Sequence, residues 1–243
     1  MLAAGEAQVW WAHRTEVRAH HVALLDAGER GRRDLLAHDA DRQLFTLGCA
    51  LVRTVLGTLL DVAPGAVRLD RTCPDCDRPH GRPAPRHAGD LDCSVSHSGD
   101  RVAVAVTRGA RIGVDVERVL PVPGLDRLVT QVLAPTELAA WGRCPAPLRD
   151  FYTYWTRKEA VLKATGWGLR VAPDRLAVSA PGAPAQVLAA SGLPLPPDRV
   201  RLHDLGAPAG YAGAVAILVD GVTAVAERDA APLLTASPAR EHR

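Results

Sequence analysis

Apolar residues recur at helical spacing in two long stretches of this chain and alternate with polar residues in several short ones. Over residues 41–60, Leu44, Phe45, Leu47, Leu51, Val52, Val55 and Leu59 form a wide apolar stripe that predicts a long helix. Arg53 interrupts that stripe, either snorkelling to the surface or aiming a guanidinium at an anion. A second helix is predicted around 150–166, where Phe151, Tyr154, Trp155, Leu162 and Thr165 recur at three-, four- and seven-residue spacing, with Asp150 as N-cap and Gly166 as the stop. Between the two helices the period changes to two. Leu91, Cys93 and Val95 alternate with Asp92, Ser94 and Ser96; Val102, Val104 and Val106 follow; Ile112, Val114 and Val116 alternate with Gly113, Asp115 and Glu117. The short turns at 97–100 and 108–111 predict an antiparallel meander of three strands. Its first and third strands run the same way, which brings Ser96 and His97 to one edge with Asp115 and Glu117, two acids on one face.

The remaining segments repeat this order. Residues 1–25 read as a strand and a short helix, and 26–42 as helical pieces whose Arg30, Arg32, Arg33 and Arg42 either bind phosphate or form a solvated face. Short helices are predicted near 125–133 and 136–142, and strands at 174–179, 186–189, 199–204 and 211–219. The pattern predicts an α+β fold of two similar halves, 1–115 and 116–226, each a long helix against a mainly antiparallel sheet, with the site at their interface. A flexible tail is expected over 227–243.

Composition narrows the class. With 243 residues and 47% apolar content the chain can bury a core, and a formal charge of +2 makes no bulk case for nucleic acid. The N-terminus lacks a charged-then-apolar leader, the apolar run 210–219 is too short to span a bilayer, and the five cysteines are an odd number. These features lead us to expect a cytoplasmic protein without membrane contact. Asn is absent, and only Lys158 and Lys163 of the 29 basic residues are lysines. In a chain that has drifted from Lys to Arg, two lysines five residues apart mark positions where a planar guanidinium does not serve.

Glu159 and Lys163 share a helix face, either as a surface pair worth about 0.2–0.5 kcal/mol or as site residues. With Asp115 and Glu117, Glu159 makes three hard oxygen donors that suit Mg²⁺, or Mn²⁺. Around them are Ser96, His97, Ser98, Lys158, Lys163 and several arginines, and an acid cluster beside a basic cluster points to metal-bridged phosphate chemistry. Separately, Cys73, Cys76 and His80 have zinc-ligand spacing, with Cys93, His87 or an Asp as fourth ligand; the alternative is a reduced Cys pair in a Pro-rich turn.

GVDVERV (113–119) and WTRKEAVLKATGWGL (155–169) resemble the two signature motifs of the phosphopantetheinyl transferases. HGRP (80–83), SVSHSGDRVAVAVT (94–107) and VLAPTE (132–137) resemble that family's other elements, in its order and spacing. The resemblance covers roughly residues 28–220, and the length is similar to the larger, Sfp-type, pseudo-dimeric monomers. It implies the phosphopantetheinyl transferase fold and transfer of 4′-phosphopantetheine from coenzyme A to a serine of an apo acyl or peptidyl carrier protein, with release of adenosine 3′,5′-bisphosphate. The carrier would serve polyketide, nonribosomal peptide or fatty acid synthesis. By motif match Asp115, Glu117 and Glu159 would hold Mg²⁺, and Lys163 would contact the pyrophosphate. Arg30, Arg53, Arg82, Ser96, His97 and Lys158 would bind coenzyme A, and Glu159, Lys163 and Asp115 would carry catalysis, with Glu159 as the base, directly or through a water. Arg82 stands where the family turn has Lys, and Cys73, Cys76 and His80 are outside the general family pattern. The rival readings are a metal-dependent phosphodiester hydrolase acting on a nucleotide cofactor and a zinc-stapled binding module.

Overall fold

The two periodicities resolve into eleven strands and seven α-helices among residues 2, 6–73, 76–78, 81–218 and 224–235, which the computed structural model describes. The first part of the chain gives β1 (Glu6–His13), α1 (Ala19–Ala23), α2 (Ala27–Asp34), α3 (Asp39–Leu60), β2 (Leu69–Asp70), β3 (Ala84–Pro85), β4 (Leu91–Ser98), β5 (Arg101–Arg108) and β6 (Arg111–Arg118). The second gives α4 (Leu125–Val132), α5 (Pro135–Trp141), α6 (Pro147–Thr165), β7 (Leu176–Val178), β8 (Val187–Ala190), β9 (Val200–Asp204), β10 (Tyr211–Leu218), β11 (Ala224–Asp229) and α7 (Ala231–Thr235).

Alternation along the strands builds four layers. One face of the sheet β11-β1-β5-β4 packs Leu91, Cys93, Val102, Val104 and Val106 onto Leu47, Leu51 and Val55 of α3. That helix is long and apolar enough to cross a membrane, and here most of its apolar window is buried. The opposite face carries Ala7, Val9, Ala103 and Ala105 against Ile112, Val114, Val116, Val215 and Ile217 of the second sheet, β6-β10-β9. The outer face of that second sheet, with Ala214 and Ala216, is covered by Ala160, Val161 and Ala164 of α6. Each long helix thus covers one sheet, and the sheets meet between them. Close approach is required at Gly113. A Cβ there would lie under 3.0 Å from the Ala160 carbonyl oxygen and the Ala164 nitrogen, so α6 rests on bare backbone.

The expected three-strand meander is corrected. β4 and β5 pair antiparallel, but β6 leaves them and pairs antiparallel with β10. The free edge of β5 is taken by β1, so β6 has no backbone ladder to join there. It lies instead along β4, and side chains bridge the gap. Ile112 N–H donates to Asp92 Oδ2 (2.9 Å), Val114 N–H to Ser94 Oγ (3.1 Å), Val116 N–H to Ser96 Oγ (3.3 Å) and Arg118 N–H to Ser98 Oγ (3.1 Å). Every second residue of β4 therefore accepts from every second amide of β6. These are donors that a buried strand edge must satisfy.

Two boundaries also move. All of Arg111–Arg118 belongs to the second sheet, so the halves divide at the Gly109–Ala110 turn rather than after residue 115. The segment expected as a loose tail is ordered through residue 235. β11 pairs parallel with β1, from Glu6 opposite Ala224 to Trp11 opposite Asp229, and Leu234 of α7 is buried in the α3 core. Residues 236–243 lie outside the described residues.

Gly113→Ala should force α6 off the sheet and cost about 1–3 kcal/mol, as overpacking does. Urea unfolding would measure it, and wild-type stability would mean that the helix yields at no cost.

Candidate active site

Helix α6 carries Arg157, Lys158 and Glu159 in sequence, and about 100° of turn per residue sends them in three directions. Arg157 is fully buried and spends its fork on structure. It pairs side-on with Asp204 (2.7 and 2.5 Å) and donates to the carbonyls of Ser179 (2.6 Å), Ala180 (3.2 Å) and Ala183 (3.1 Å). Lys158 is equally buried. Its ammonium meets Glu137 Oε2 at 2.6 Å and the carbonyls of Val132 (2.8 Å), Pro173 (3.0 Å) and Leu176 (2.6 Å). Burial lowers its pKa, and the Glu137 carboxylate opposes that shift. Glu137 in turn accepts from Ala134 N–H (2.6 Å) and Val178 N–H (2.7 Å), which ties α5, α6 and β7 together.

Glu159 points the third way, into a cleft of about 270 Å³. Its walls are Val95, Ser96 and His97 from β4, Asp115 and Glu117 from β6, and Trp155, Glu159 and Lys163 from α6. Lys163 donates to Asp115 Oδ1 (2.7 Å) and Ser96 Oγ (3.0 Å). The seam serines take part here as well. Ser96 donates to Asp115 Oδ1 (2.9 Å) and Ser98 to Glu117 Oε2 (2.6 Å), so each hydroxyl accepts from a β6 amide while orienting a β6 acid.

The electrostatics are those of acids short of positive charge. Burial, then the neighbouring Asp115 charge, pushes Glu159 up to about 7, against the pull of Lys163. Burial raises Glu117 too, against its bond from Ser98. His97 stands at the exposed mouth, yet the atoms crowding it, then the Lys163 cation, lower its pKa and keep its ring neutral at pH 7. Asp115 Oδ2 and Glu159 Oε1 are buried without a hydrogen-bond partner. Among the described residues no three His, Cys, Asp or Glu side chains close into a finished metal shell. Two orphaned carboxylate oxygens beside Glu117 nevertheless form a hard donor set that fits a divalent cation such as Mg²⁺.

The structure does not bring every predicted residue to this cleft. Lys158 is corrected from cofactor ligand to buried strut, since its ammonium is enclosed by four acceptors. Arg53 neither snorkels nor faces an anion site; it is buried against Glu29 Oε2 (2.8 Å), with Asp26 at 3.5 Å. Arg82 is bound to Asp92 through two bonds (2.9 and 2.6 Å) and to the Ile112 carbonyl, at the first rung of the seam. Arg30 is exposed on α2, donates to the Leu25 carbonyl and does not line the cleft. Of the zinc candidates, His80 lies outside the described residues, Cys73 is buried and Cys76 exposed. Cys93, considered as a fourth ligand, is sealed in the α3 core, its thiol pushed up to about 12 by burial. Sequence reasoning missed Glu137 as the partner of Lys158; it set Ser98 beside the acids without assigning it to Glu117. The signal for Ser98 was its place in the alternating series Asp92, Ser94, Ser96.

Residues 111–215 match the 4′-phosphopantetheinyl transferase superfamily. The chain is 33% identical over 153 residues to 4′-phosphopantetheinyl transferase HetI of Nostoc sp., covering 61% of this chain and 62% of that protein. It is 32% identical over 173 residues to a phosphopantetheinyl transferase of Thraustochytrium sp. (65% and 58% covered) and 28% identical over 159 residues to a 4′-phosphopantetheinyl transferase of Bacillus subtilis (65% and 67%). The chain thus spans about three fifths of the length of the first two relatives.

Two stability measurements test the site's architecture. Lys158→Met leaves Glu137 buried and unpaired and should cost about 3–5 kcal/mol, part of which Lys158→Met/Glu137→Gln should restore. An unchanged unfolding midpoint would remove the strut assignment. The second concerns pH. Glu159 holds a proton in the native state that the unfolded chain releases near 4.5, so its contribution is present at low pH and lost as pH rises through about 7. Without divalent cation, Glu159→Gln should therefore melt several degrees above wild type at pH 8, with the difference gone near pH 4. Equal melts at pH 8 would count against a crowded carboxylate.

Proposed function

We infer that this chain, whose residues 111–215 belong to the 4′-phosphopantetheinyl transferase superfamily, transfers 4′-phosphopantetheine from coenzyme A to a serine of an apo acyl or peptidyl carrier protein. The observation that carries the reading is the convergence of Asp115, Glu117, Glu159, Lys163, Ser96 and His97 on one open cleft. In the reaction the carrier serine oxygen bonds to the phosphorus that bears pantetheine. The bond from that phosphorus to the bridging oxygen breaks, and adenosine 3′,5′-bisphosphate leaves.

Each cleft residue supports a part of this chemistry. Lys163, partly exposed and one turn beyond Glu159, offers a compact charge to the pyrophosphate. Neutral His97 at the mouth offers a ring N–H to a phosphate oxygen. Ser96 commits its proton to Asp115 and so fixes that acid. Glu159 has an oxygen with no protein donor, and it accepts the serine proton directly or through a water. Asp115, Glu117 and Glu159 would hold Mg²⁺ or Mn²⁺, which when bound neutralises charge developing on the 5′-phosphate of the departing adenosine 3′,5′-bisphosphate. A cytoplasmic monomer serving carriers of polyketide, nonribosomal peptide or fatty acid synthesis belongs to the same proposal.

Incubation with coenzyme A, Mg²⁺ and an apo carrier should add one phosphopantetheine to a carrier serine, read by mass spectrometry. Coenzyme A should stay intact when the carrier is left out; its breakdown without carrier would favour the phosphodiester hydrolase. Asp115→Ala and Glu159→Ala should abolish transfer, and EDTA should do the same. Lys163→Arg should melt like wild type and lose most of the turnover, because a planar fork replaces a point charge beside the acids. Wild-type turnover by Lys163→Arg would remove Lys163 from the pyrophosphate.

A further inference from the structure

Glu117 is the next-to-last residue of β6, in the last rungs of its pairing with β10. The structure restrains it from the opposite half of the molecule. Ser98, last residue of β4, donates to Glu117 Oε2 at 2.6 Å and accepts from Arg118 N–H at 3.1 Å. The turn that follows Ser98 is itself clamped. Gly99, at φ 60°, lies against Tyr211 of β10 and Arg118, where a Cβ would come under 3.0 Å from side-chain atoms of both. Asp100 N–H donates to the Tyr211 hydroxyl (3.0 Å), and that hydroxyl donates back to Asp100 Oδ1 (2.8 Å). His13 Nε2 stands 3.3 Å from Asp100 Oδ2, and Arg14 N–H donates to the Asp100 carbonyl (2.8 Å). Both sheets thus hold the turn at the point from which Ser98 reaches the acid.

We propose that Ser98 is a positioning residue for cation binding: its hydroxyl, steadied by the Tyr211–Asp100 clamp, aims Glu117 at the cation shared with Asp115 and Glu159. This rests on the cation-binding role inferred above. Two features separate it from a merely structural rung. Ser94 accepts from β6 in the same way, at Val114 N–H, but donates to no cleft acid, whereas Ser98 donates to Glu117. Tyr211 touches the turn through its hydroxyl and does not line the cleft, so any effect of that hydroxyl on the cation must pass through the turn.

The test is Mn²⁺ titration of the intact protein with saturating coenzyme A and no carrier, followed by calorimetry or electron paramagnetic resonance. Thermal melts without metal report the fold. Ser98→Ala should weaken Mn²⁺ binding about tenfold, the scale of losing an outer partner of a metal ligand. Ser98→Thr, which keeps the hydroxyl, should bind near the wild-type level, and Tyr211→Phe should weaken binding to a lesser degree than Ser98→Ala. Ser94→Ala should lower the melting temperature and leave Mn²⁺ affinity unchanged. Wild-type affinity in Ser98→Ala, or an equal loss in Ser94→Ala or Ser98→Thr, would overturn the positioning role. Asp115→Ala is the separate control: undiminished Mn²⁺ affinity there would overturn the cation site itself, whereas its loss beside an unaffected Ser98→Ala would overturn only the role of Ser98.

Discussion

Four side chains of β4 do the pairing that a backbone would otherwise do, and the cleft depends on them. A direct ladder sets strands about 4.8 Å apart and consumes both edges. Asp92, Ser94, Ser96 and Ser98 instead interpose their oxygens between β4 and β6, which holds the strands farther apart. The choice of serine matters. A backbone carbonyl only accepts, but a hydroxyl that accepts an amide proton still has its own proton to give. At Ser96 and Ser98 that proton goes to Asp115 and Glu117, so the atoms that join the halves also orient the acids. The same device further down the seam, at Asp92 and Ser94, meets no site acid and serves the joint alone. Asp92 is neutralised there by Arg82.

Helix α6 shows how one element can be both strut and reagent. Its buried ions, Arg157 and Lys158, are each surrounded by acceptors. A buried charge removed from its partners would cost several kcal/mol. Those anchors fix the rotation of the helix about its axis and its pitch against β7 and β9. Glu159 and Lys163 inherit that rotation and come over Asp115, with Gly113 allowing the helix down to backbone contact. The two lysines of the chain therefore resist replacement for different reasons. Lys158 fills a compact cage of one carboxylate and three carbonyls that a planar guanidinium does not match; Lys163 presents a small charge in a half-open cleft.

Much of this was legible in the residues, and the exceptions have physical causes. The stripes of α3 and α6, the short helices 125–132 and 135–141 and most strands follow from spacing alone; Ser96 does meet Asp115, but across the side-chain seam between β4 and β6 and not within the expected meander. The departure of β6 did not follow, because Ile112, Val114 and Val116 would alternate identically in either sheet. Only the competition between β1 and β6 for the edge of β5 decides it. Arginines misled for a related reason. Arg53 and Arg82 look like phosphate ligands until Glu29 and Asp92, which the fold brings to them, are found against them. Charge patterns show which groups exist and leave out which of them neutralise each other. Residues 227–235 read as a tail because the half of β11 within them, Glu227–Asp229, is charged and exposed, and its pairing partner lies at the far end of the chain.

That last pairing bears on the order in which the protein takes shape during synthesis. β11 completes the sheet that begins with β1, and α7 caps the α3 core. The second sheet, drawn from residues 111–218, has all its strands before β11 leaves the ribosome. The first must wait, with one edge of β1 bare and open to wrong partners. The half made first is thus the half finished last, and translation past residue 229 is what closes it.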